Sequence, residues 1–185
     1  MRARISILLP IVALLLLGCE ERTDETDSGG VLLEVEFTNT VLSAGVEESE
    51  MVLIPTIVIS SIAADPNAST SSLMDVQMRT LEVTFSRADS GSRIPPPFLF
   101  NIIGTVPVGG SLTLNNFPIM SAEQTRVPPL SDLLIINGGF DQETGSTVIR
   151  IDVTFRAFGT TLTGTSVATQ PRTQTIEFVS TLLGT

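Results

Sequence analysis

The feature that most constrains this chain is a strict alternation of apolar and polar residues between Ile149 and Ala157. Every second residue there is apolar, and the residues between them are Arg, Asp, Thr and Arg. Because successive side chains of a β-strand point to opposite faces, this pattern predicts a strand with one face in a core and the other in water. A helix would instead need apolar residues three and four positions apart.

The same two-residue period recurs along most of the chain. The stretches are 33–37, 81–85, 98–106, 112–114, 162–169 and 175–181. Gly109 and Gly110 predict a hairpin between the strands at 98–106 and 112–114, and Gly159 predicts a tight turn before the strand at 162–169. Short turns are expected around 71–74 and 129–133.

Two further runs, 51–59 and 133–136, are apolar on both faces and complete the set of expected strands. Pro55 in the first run requires an edge, a bulge or a break, because proline cannot donate to a sheet ladder. The count is about eight strands. It favours an all-β, antiparallel β-sandwich of immunoglobulin-like or fibronectin-like architecture, as a single domain over residues 31–185.

The composition excludes several classes of function. The chain has no His, Lys, Trp or Tyr among its 185 residues, so the imidazole of Ser-His-Asp and Cys-His catalysis and the lysine amine of Schiff-base or general-base catalysis are missing. The one cysteine is Cys19, and zinc sites draw on Cys and His. A net charge of -10 disfavours nucleic acid, and the nine Phe indicate core packing rather than sugar stacking. We therefore expect no enzyme activity and no cofactor.

The N-terminus carries the pattern of an export signal. Arg2 and Arg4 precede an apolar run, residues 5–17, that is shorter than the roughly 20 residues needed to cross a bilayer. The run ends in Leu16-Leu17-Gly18-Cys19. This motif resembles the lipobox of bacterial lipoproteins, with an aliphatic residue three before the cysteine and a small residue just before it.

The resemblance implies a signal peptide over residues 1–18, cleavage after Gly18, and lipidation of the Cys19 sulfur with further acylation such as palmitate. Two or three acyl chains hold a protein stably at a membrane, whereas one does so only marginally. Glu20 is not the Asp associated with inner-membrane retention, so we expect an outer-membrane location facing the periplasm or the cell surface. Residues 19–30, polar and acidic after the cysteine, predict a flexible tether.

Two irregular loops, 64–72 and 86–97, contain the first candidate binding residues. Asp65, Asn67 and Ser69 could offer oxygen ligands to calcium, although Asp-Pro-Asn is also ordinary turn chemistry, which we favour. In the second loop, Arg87, Asp89 and Arg93 beside the prolines at 95–97 could present an extended edge to a protein partner. Stiffening of the loop and protection of a sheet edge are the favoured alternative.

A second acidic pair, Asp141 and Glu143, lies in the sequence FDQETGS. The pair could serve glycoside hydrolysis or bind calcium, but catalytic carboxylates flank a cleft and one needs a raised pKa. We favour turn formation. Arg150 and Asp152 on the wet face of their strand could bind an anionic partner, and a screened surface network is favoured instead.

Three hypotheses of function remain. The first is a lipid-anchored structural or protein-interaction module of the cell envelope, with an unidentified protein partner. The second is a binding protein for a small apolar ligand or lipid, held between the sheets. The third is a carboxylate-dependent glycan-acting enzyme, which the missing residue types disfavour.

Overall fold

The structure is a computed structural model that describes residues 30–38, 43–47 and 51–181. The predicted signal peptide, Cys19 and the tether before Gly30 lie outside the described residues. We label the strands in chain order. They are β1 (Val31–Thr38), β2 (Ser43–Gly45), β3 (Val52–Ala63), β4 (Val76–Arg87), β5 (Phe98–Val106), β6 (Ser111–Met120), β7 (Val148–Thr161), β8 (Ser166–Ala168) and β9 (Arg172–Val179).

The strands form two sheets. One has three strands in the order β1-β3-β6, and the other has the order β2-β9-β7-β4-β5, with β8 pairing to β7 as its sixth strand. Every pairing is antiparallel except that of β2 with β9. The prediction of an all-β, sandwich-like fold is therefore confirmed.

The apolar faces of both sheets meet in one core, as the alternating sequences require. In β7 every second residue from Ile149 to Ala157 is fully buried, as its period predicts. Phe155 of that strand contacts Phe37 of the other sheet, with ring centroids 4.8 Å apart in an edge-to-face arrangement. Burial of such a side chain contributes about 1.5–3 kcal/mol, so the facing aromatic rings help hold the two sheets together.

The predicted hairpin between β5 and β6 is wrong. Residues 107–110 instead carry the chain from one sheet to the other, so that β5 pairs with β4 and β6 pairs with β3. Leu112 of β6 packs against Gly104 of β5, so closely that a Cβ on Gly104 would lie 2.7 Å from it. Both strands turn an apolar face to the same core, and two facing sheets satisfy this better than one continuous sheet.

The predicted turn at Gly159 is also wrong, because Gly159 lies inside β7 and the turn follows Thr161. A Cβ at this position would lie 2.8 Å from the carbonyl oxygen of Gln77 and 2.6 Å from the Val76 side chain. The neighbouring ladder with β4 shifts register between Met78 and Thr80. The glycine therefore permits close approach of two strands rather than a reversal.

The run 133–136, expected as a strand, belongs to two short 3-10 helices, Leu130–Leu133 and Ile135–Asn137. Gly138 and Gly139, both at positive φ, end this segment. Four apolar residues cannot by themselves distinguish a strand from a buried turn of helix. The turns expected around 71–74 and 129–133 are confirmed as 3-10 helices, and a short α-helix, α1 (Ala122–Thr125), precedes the second.

Pro55 lies within a continuous central strand and costs one pair in a ladder that keeps its register, so the expected edge, bulge or break is not found there. It lies inside β3, where the ladder to β6 passes from Ile54↔Phe117 to Thr56↔Asn115 and omits it. Asn116, the residue opposite the proline, has a positive φ of 49°. The missing N–H donor therefore falls where β6 departs from regular strand geometry.

The two ends of the sandwich differ. At one end, which we call the proximal end, the described chain begins, and the Gly30 carbonyl accepts a hydrogen bond from the Ala64 N–H at 2.9 Å. At the opposite, distal end, β4 finishes at Arg87, β7 begins at Val148, and the long segment between β6 and β7 folds against the core. None of the helices in the described part of the chain is long and apolar enough to cross a membrane.

Candidate functional site: an ion-pair cluster at the distal end

Charged side chains from two separate segments converge at the distal end of the sandwich. We call them the distal ion-pair cluster, which consists of Arg87, Asp89, Arg93, Asp132, Asp141 and Glu143. The first three belong to the end of β4 and the loop after it, and the others belong to the segment between α1 and β7. The cluster therefore joins two loops that are about 50 residues apart in sequence.

Arg87 and Asp141 form the buried centre of the cluster. The Arg87 Nη2 donates to Asp141 Oδ2 at 2.8 Å, and the two side chains are 2% and 0% exposed. The Thr144 hydroxyl and the Glu143 N–H also donate to Asp141, at 2.7 and 3.2 Å. Burial alone would raise the pKa of Asp141, but these donors outweigh it and lower the pKa to about 2.

Arg93 links the centre to the 3-10 helix at 130–133. Its Nη2 donates to Asp132 Oδ2 at 2.6 Å and to Asp141 Oδ1 at 3.0 Å. The hydrogen bond to Asp132 is the main reason that the pKa of Arg93 is raised above its ordinary value. Asp132 is itself 4% exposed, so a guanidinium bridges two buried carboxylates.

The Glu143 side chain binds backbone N–H groups of the loop between β4 and β5. Its Oε2 accepts from the N–H groups of Ser92 and Arg93, at 2.9 and 3.1 Å, and its Oε1 accepts from the Ser92 hydroxyl. The pKa of Glu143 is lowered to about 2. The largest cause is the hydrogen bond from the Ser92 hydroxyl, and the two backbone N–H groups lower it further. A carboxylate with several donors is strongly favoured in its ionised form.

Asp89 closes the loop at its start. It accepts from Arg87 Nε at 2.6 Å and from the N–H groups of Gly91 and Arg150, at 3.0 and 2.9 Å. Burial opposes ionisation, but these donors lower the pKa of Asp89 below its ordinary value. The loop between β4 and β5 is thereby tied both to itself and to β7.

The chemistry open to the cluster follows from these contacts. The lowered pKa values of Asp141 and Glu143 keep both carboxylates ionised at neutral pH, so neither is set up as a proton donor. Within residues 30–38, 43–47 and 51–181, no three His, Cys, Asp or Glu residues are grouped so that they could hold a metal ion. The cluster is therefore a network of ion pairs that holds the loop between β4 and β5 against the segment between α1 and β7.

The sequence candidates for calcium lie far apart. Asp65 and Asn67 follow β3 at the proximal end, where Asp65 Oδ1 accepts the Asn67 N–H at 2.8 Å in the turn geometry favoured above. Asp141 and Glu143 lie in the distal cluster, engaged with arginines and with backbone N–H groups. The structure therefore does not bring the two pairs together.

Sequence reasoning missed Asp132 and Ser92. Asp132 follows leucine and serine and precedes two leucines, and a carboxylate in so apolar a run is a signal for a buried ion pair, since a charge there needs a partner. Ser92 carries no such signal. Its role depends on Glu143 being folded against it.

Arg150 and Asp152 lie on the outer face of the six-stranded sheet. Arg150 Nε donates to Glu177 at 2.8 Å, and the two side chains are 56% and 45% exposed. Asp152 accepts from the Thr175 hydroxyl. Both contacts match the surface network favoured from the sequence.

A groove lies along β1, at the edge of the three-stranded sheet. This groove has a volume of about 630 Å³. It is lined by Leu32, Leu33, Glu34, Val35, Ile62, Ala64, Ala168, Gln170, Pro171 and Arg172. Seven of its ten lining residues are apolar, but polar and apolar atoms contribute about equally to its surface, and Glu34 and Arg172 are its charged members.

Comparison with known proteins finds no family model that matches this chain. No curated protein and no solved structure matches it either.

Proposed function

We propose that this protein is a lipid-anchored β-sandwich of the bacterial cell envelope that acts as a structural or protein-interaction module. The observation that carries the proposal is Leu16-Leu17-Gly18-Cys19 at the end of an apolar, basic-flanked leader. Export, lipid attachment at Cys19 and an outer-membrane location facing the periplasm or the cell surface belong to the proposal. So does the finer assignment of the fold as immunoglobulin-like or fibronectin-like.

The position of Gly30 supports an orientation in which the distal end of the domain faces away from the membrane. The described chain begins at Gly30 in the proximal end, so a tether ahead of it would attach there. The loops fastened by the ion-pair cluster lie at the opposite end. Near them, Ile135 and Ile136 are 70% and 89% exposed, which is the kind of surface that binds another protein.

Replacing the only cysteine tests the anchor. In cells fed a labelled palmitate analogue, we expect Cys19→Ser to lose the label and to accumulate as an uncleaved precursor or as a released domain. The matched control is Ser28→Ala, which changes the tether and leaves the motif intact, and it should keep both label and membrane association. Normal labelling of the Cys19→Ser protein would overturn the proposal.

Isolation of the protein together with its bound partners tests the proposed interaction role. The native lipoprotein, extracted from envelopes in mild detergent after brief cross-linking, should come with the same partner or with further copies of itself in repeated preparations. Repeated recovery as an isolated monomer would count against an interaction role.

A small apolar ligand is the second candidate, and the groove along β1 favours it. Its volume falls within the range of roughly 300–1,000 Å³ typical of ligand sites. An apolar fluorescent probe should bind the protein, and Ile62→Arg, in the groove wall, should abolish that binding. Ile136→Arg, at the distal end, is the control and should bind the probe unchanged. Equal binding to both variants would remove this candidate.

The glycan-acting alternative gains no support from the distal cluster. Inverting and retaining glycosidases both need one carboxyl group that gives up a proton near neutral pH. Asp141 and Glu143 have pKa values of about 2, and their oxygens accept from arginine, hydroxyl and backbone donors. These contacts favour the non-enzymatic proposal.

A further inference from the structure

The outer edge of the six-stranded sheet is formed by β5, which pairs only with β4 among the described residues. Its sequence, FLFNIIGTV, contains no charged residue and no proline. The three prolines that were expected to protect an edge end at Pro97, one residue before the strand begins. An exposed edge of this kind offers free N–H and C=O groups to another strand.

The other described edges carry features that discourage pairing. The edge strand β6 contains Pro118 and the positive-φ Asn116, and β2 has three residues. At the third edge, β1 has Glu34 and Glu36 on its exposed face and is bridged to Thr169. Natural sheets use proline, charge and short edge strands to avoid association, and β5 has none of these three. Its one irregularity is a register shift in the ladder to β4 between Asn101 and Gly104.

The exposed face of β5 is also strongly apolar. Leu99 is 66% exposed and Ile103 is 97% exposed, and both lie on the outer face of the sheet. They flank Asn101 symmetrically, two residues before it and two residues after it. An antiparallel pairing of the strand with itself, centred on Asn101, would place Leu99 of each copy opposite Ile103 of the other.

We propose that β5 pairs antiparallel with β5 of a second copy of this chain, about a two-fold axis at Asn101, so that two six-stranded sheets become one continuous sheet. Such an interface is self-complementary, as closed dimers require. The cross-strand Leu99–Ile103 contacts occur twice, and they cover side chains that are otherwise exposed.

A second copy is favoured over a foreign strand by this symmetry, and the lack of charge on β5 makes the pairing compatible with two acidic chains. The chain carries a net charge of -10, so two copies repel each other through most surfaces. The uncharged β5 is a strip along which two copies can meet without bringing carboxylates together. Glu82 lies across from Leu99 on the inner neighbour β4.

The inference rests on the proposed role as an interaction module, because it names the partner. It does not depend on the lipid anchor. Failure of the dimer would leave lipidation at Cys19 unaffected, and failure of lipidation would leave β5 pairing unaffected.

Cysteine cross-linking of the full chain in detergent tests the register. Across the axis, the two Asn101 Cα atoms would be about 4.5–5.5 Å apart, within disulfide range. The two Leu99 Cα atoms would be about 14 Å apart, and so would the two Ile103 Cα atoms, which is too far. Mild oxidation should therefore join Asn101→Cys chains, but not Leu99→Cys or Ile103→Cys chains.

The parent chain keeps Cys19 and has no cysteine in β5. The amount of cross-linked dimer that it forms is therefore the background for the three variants. The proposal is overturned if Asn101→Cys yields no more dimer than the parent. It is also overturned if the two flanking variants cross-link as efficiently as Asn101→Cys, because a mobile or random contact would not favour the central residue.

Sedimentation in detergent tests the interface without cysteines. Ile103→Lys places a charge against Leu99 of the second copy, twice per dimer, and should weaken association by about a hundredfold or more. Met51→Lys makes a comparable change at an exposed apolar residue beside β3, in the other sheet, and should leave the dimer intact. A monomeric parent chain, or equal effects of the two variants, would overturn the proposal.

Discussion

Asp141 is the residue on which the distal cluster depends. Its side chain is fully buried, and two guanidinium groups together with a hydroxyl and an N–H donate to it. Removing charges from water is costly, so such a cluster is stable only while every member keeps its partner. Loss of one partner leaves an uncompensated charge in the interior.

The first prediction concerns Asp141→Asn. This change keeps the shape but removes the charge that faces Arg87, so the free energy of unfolding should fall by about 3–5 kcal/mol. Urea denaturation followed by circular dichroism measures it, since the chain has no Trp or Tyr to report. Glu177→Gln, at the exposed ion pair with Arg150, is the control and should cost less than about 1 kcal/mol. Equal losses would contradict a buried role for Asp141.

The second prediction concerns pH. In the folded protein the pKa of Glu143 is about 2, whereas the ordinary value is 4.5. A lowered folded pKa contributes stability that is present above the ordinary value and is lost as pH falls toward the folded one. The parent should thus be more stable than Glu143→Gln at neutral pH, and the difference should shrink between pH 4.5 and about 2. A difference that stays constant across this range would contradict the prediction.

Among the elements, the strand pair β4–β7 depends on a glycine that sequence reasoning placed in a turn. Gly159 lies in strand, where a Cβ would meet the Gln77 carbonyl oxygen at 2.8 Å. That atom belongs to the backbone and cannot swing away as the end of a side chain can. The two strands must separate if Gly159 is enlarged.

The third prediction therefore concerns Gly159→Ala, which should lower the free energy of unfolding by about 1–3 kcal/mol through overpacking. Denaturation with urea measures the loss. Gly109→Ala is not a suitable comparison because Gly109 has a positive φ. Thr160→Ala, the next residue on the same strand, leaves the backbone spacing unchanged and should cost less. A stable Gly159→Ala protein would show that β4 and β7 can separate freely.

The strands with clear alternation were predictable, and the apolar runs without it were not. In β7 the buried and exposed faces follow the sequence, because a slip of one residue would reverse both faces. The run 133–136 gives no such constraint, and its conformation depends on packing of Leu133 and Leu134 into the core. The partner of β6 likewise depends on sheet closure, which no local pattern encodes.

At the scale of the whole molecule, two sheets share one core through contacts such as Phe37–Phe155. Neither sheet can bury its apolar face alone, so we expect them to unfold together. The distal cluster was predictable only in part. The sequence named Arg87, Asp89, Arg93, Asp141 and Glu143, but it could not show that they meet.

The fourth prediction tests this joint unfolding. Phe155→Leu should lower stability by about 1–3 kcal/mol and should accelerate hydrogen exchange in both sheets by the same factor. Phe140→Leu, at a 44% exposed ring in the distal loops, is the control and should leave exchange in the sheets unchanged. Faster exchange confined to the six-stranded sheet would contradict a shared core.

The strands with clear alternation and their buried faces follow from the sequence alone, because side-chain alternation is a local property. The missing residue types lead only to an expectation about the chemistry that the chain lacks. The sequence also carries the lipobox resemblance on which the proposed anchor rests. Only the tertiary structure decided which strands are neighbours, that β5 lies at an open edge, and that two arginines neutralise carboxylates about 50 residues away. Strand order depends on how the loops close, which no local pattern encodes. The buried arginines and carboxylates offset each other's loss of hydration only when folding brings them together.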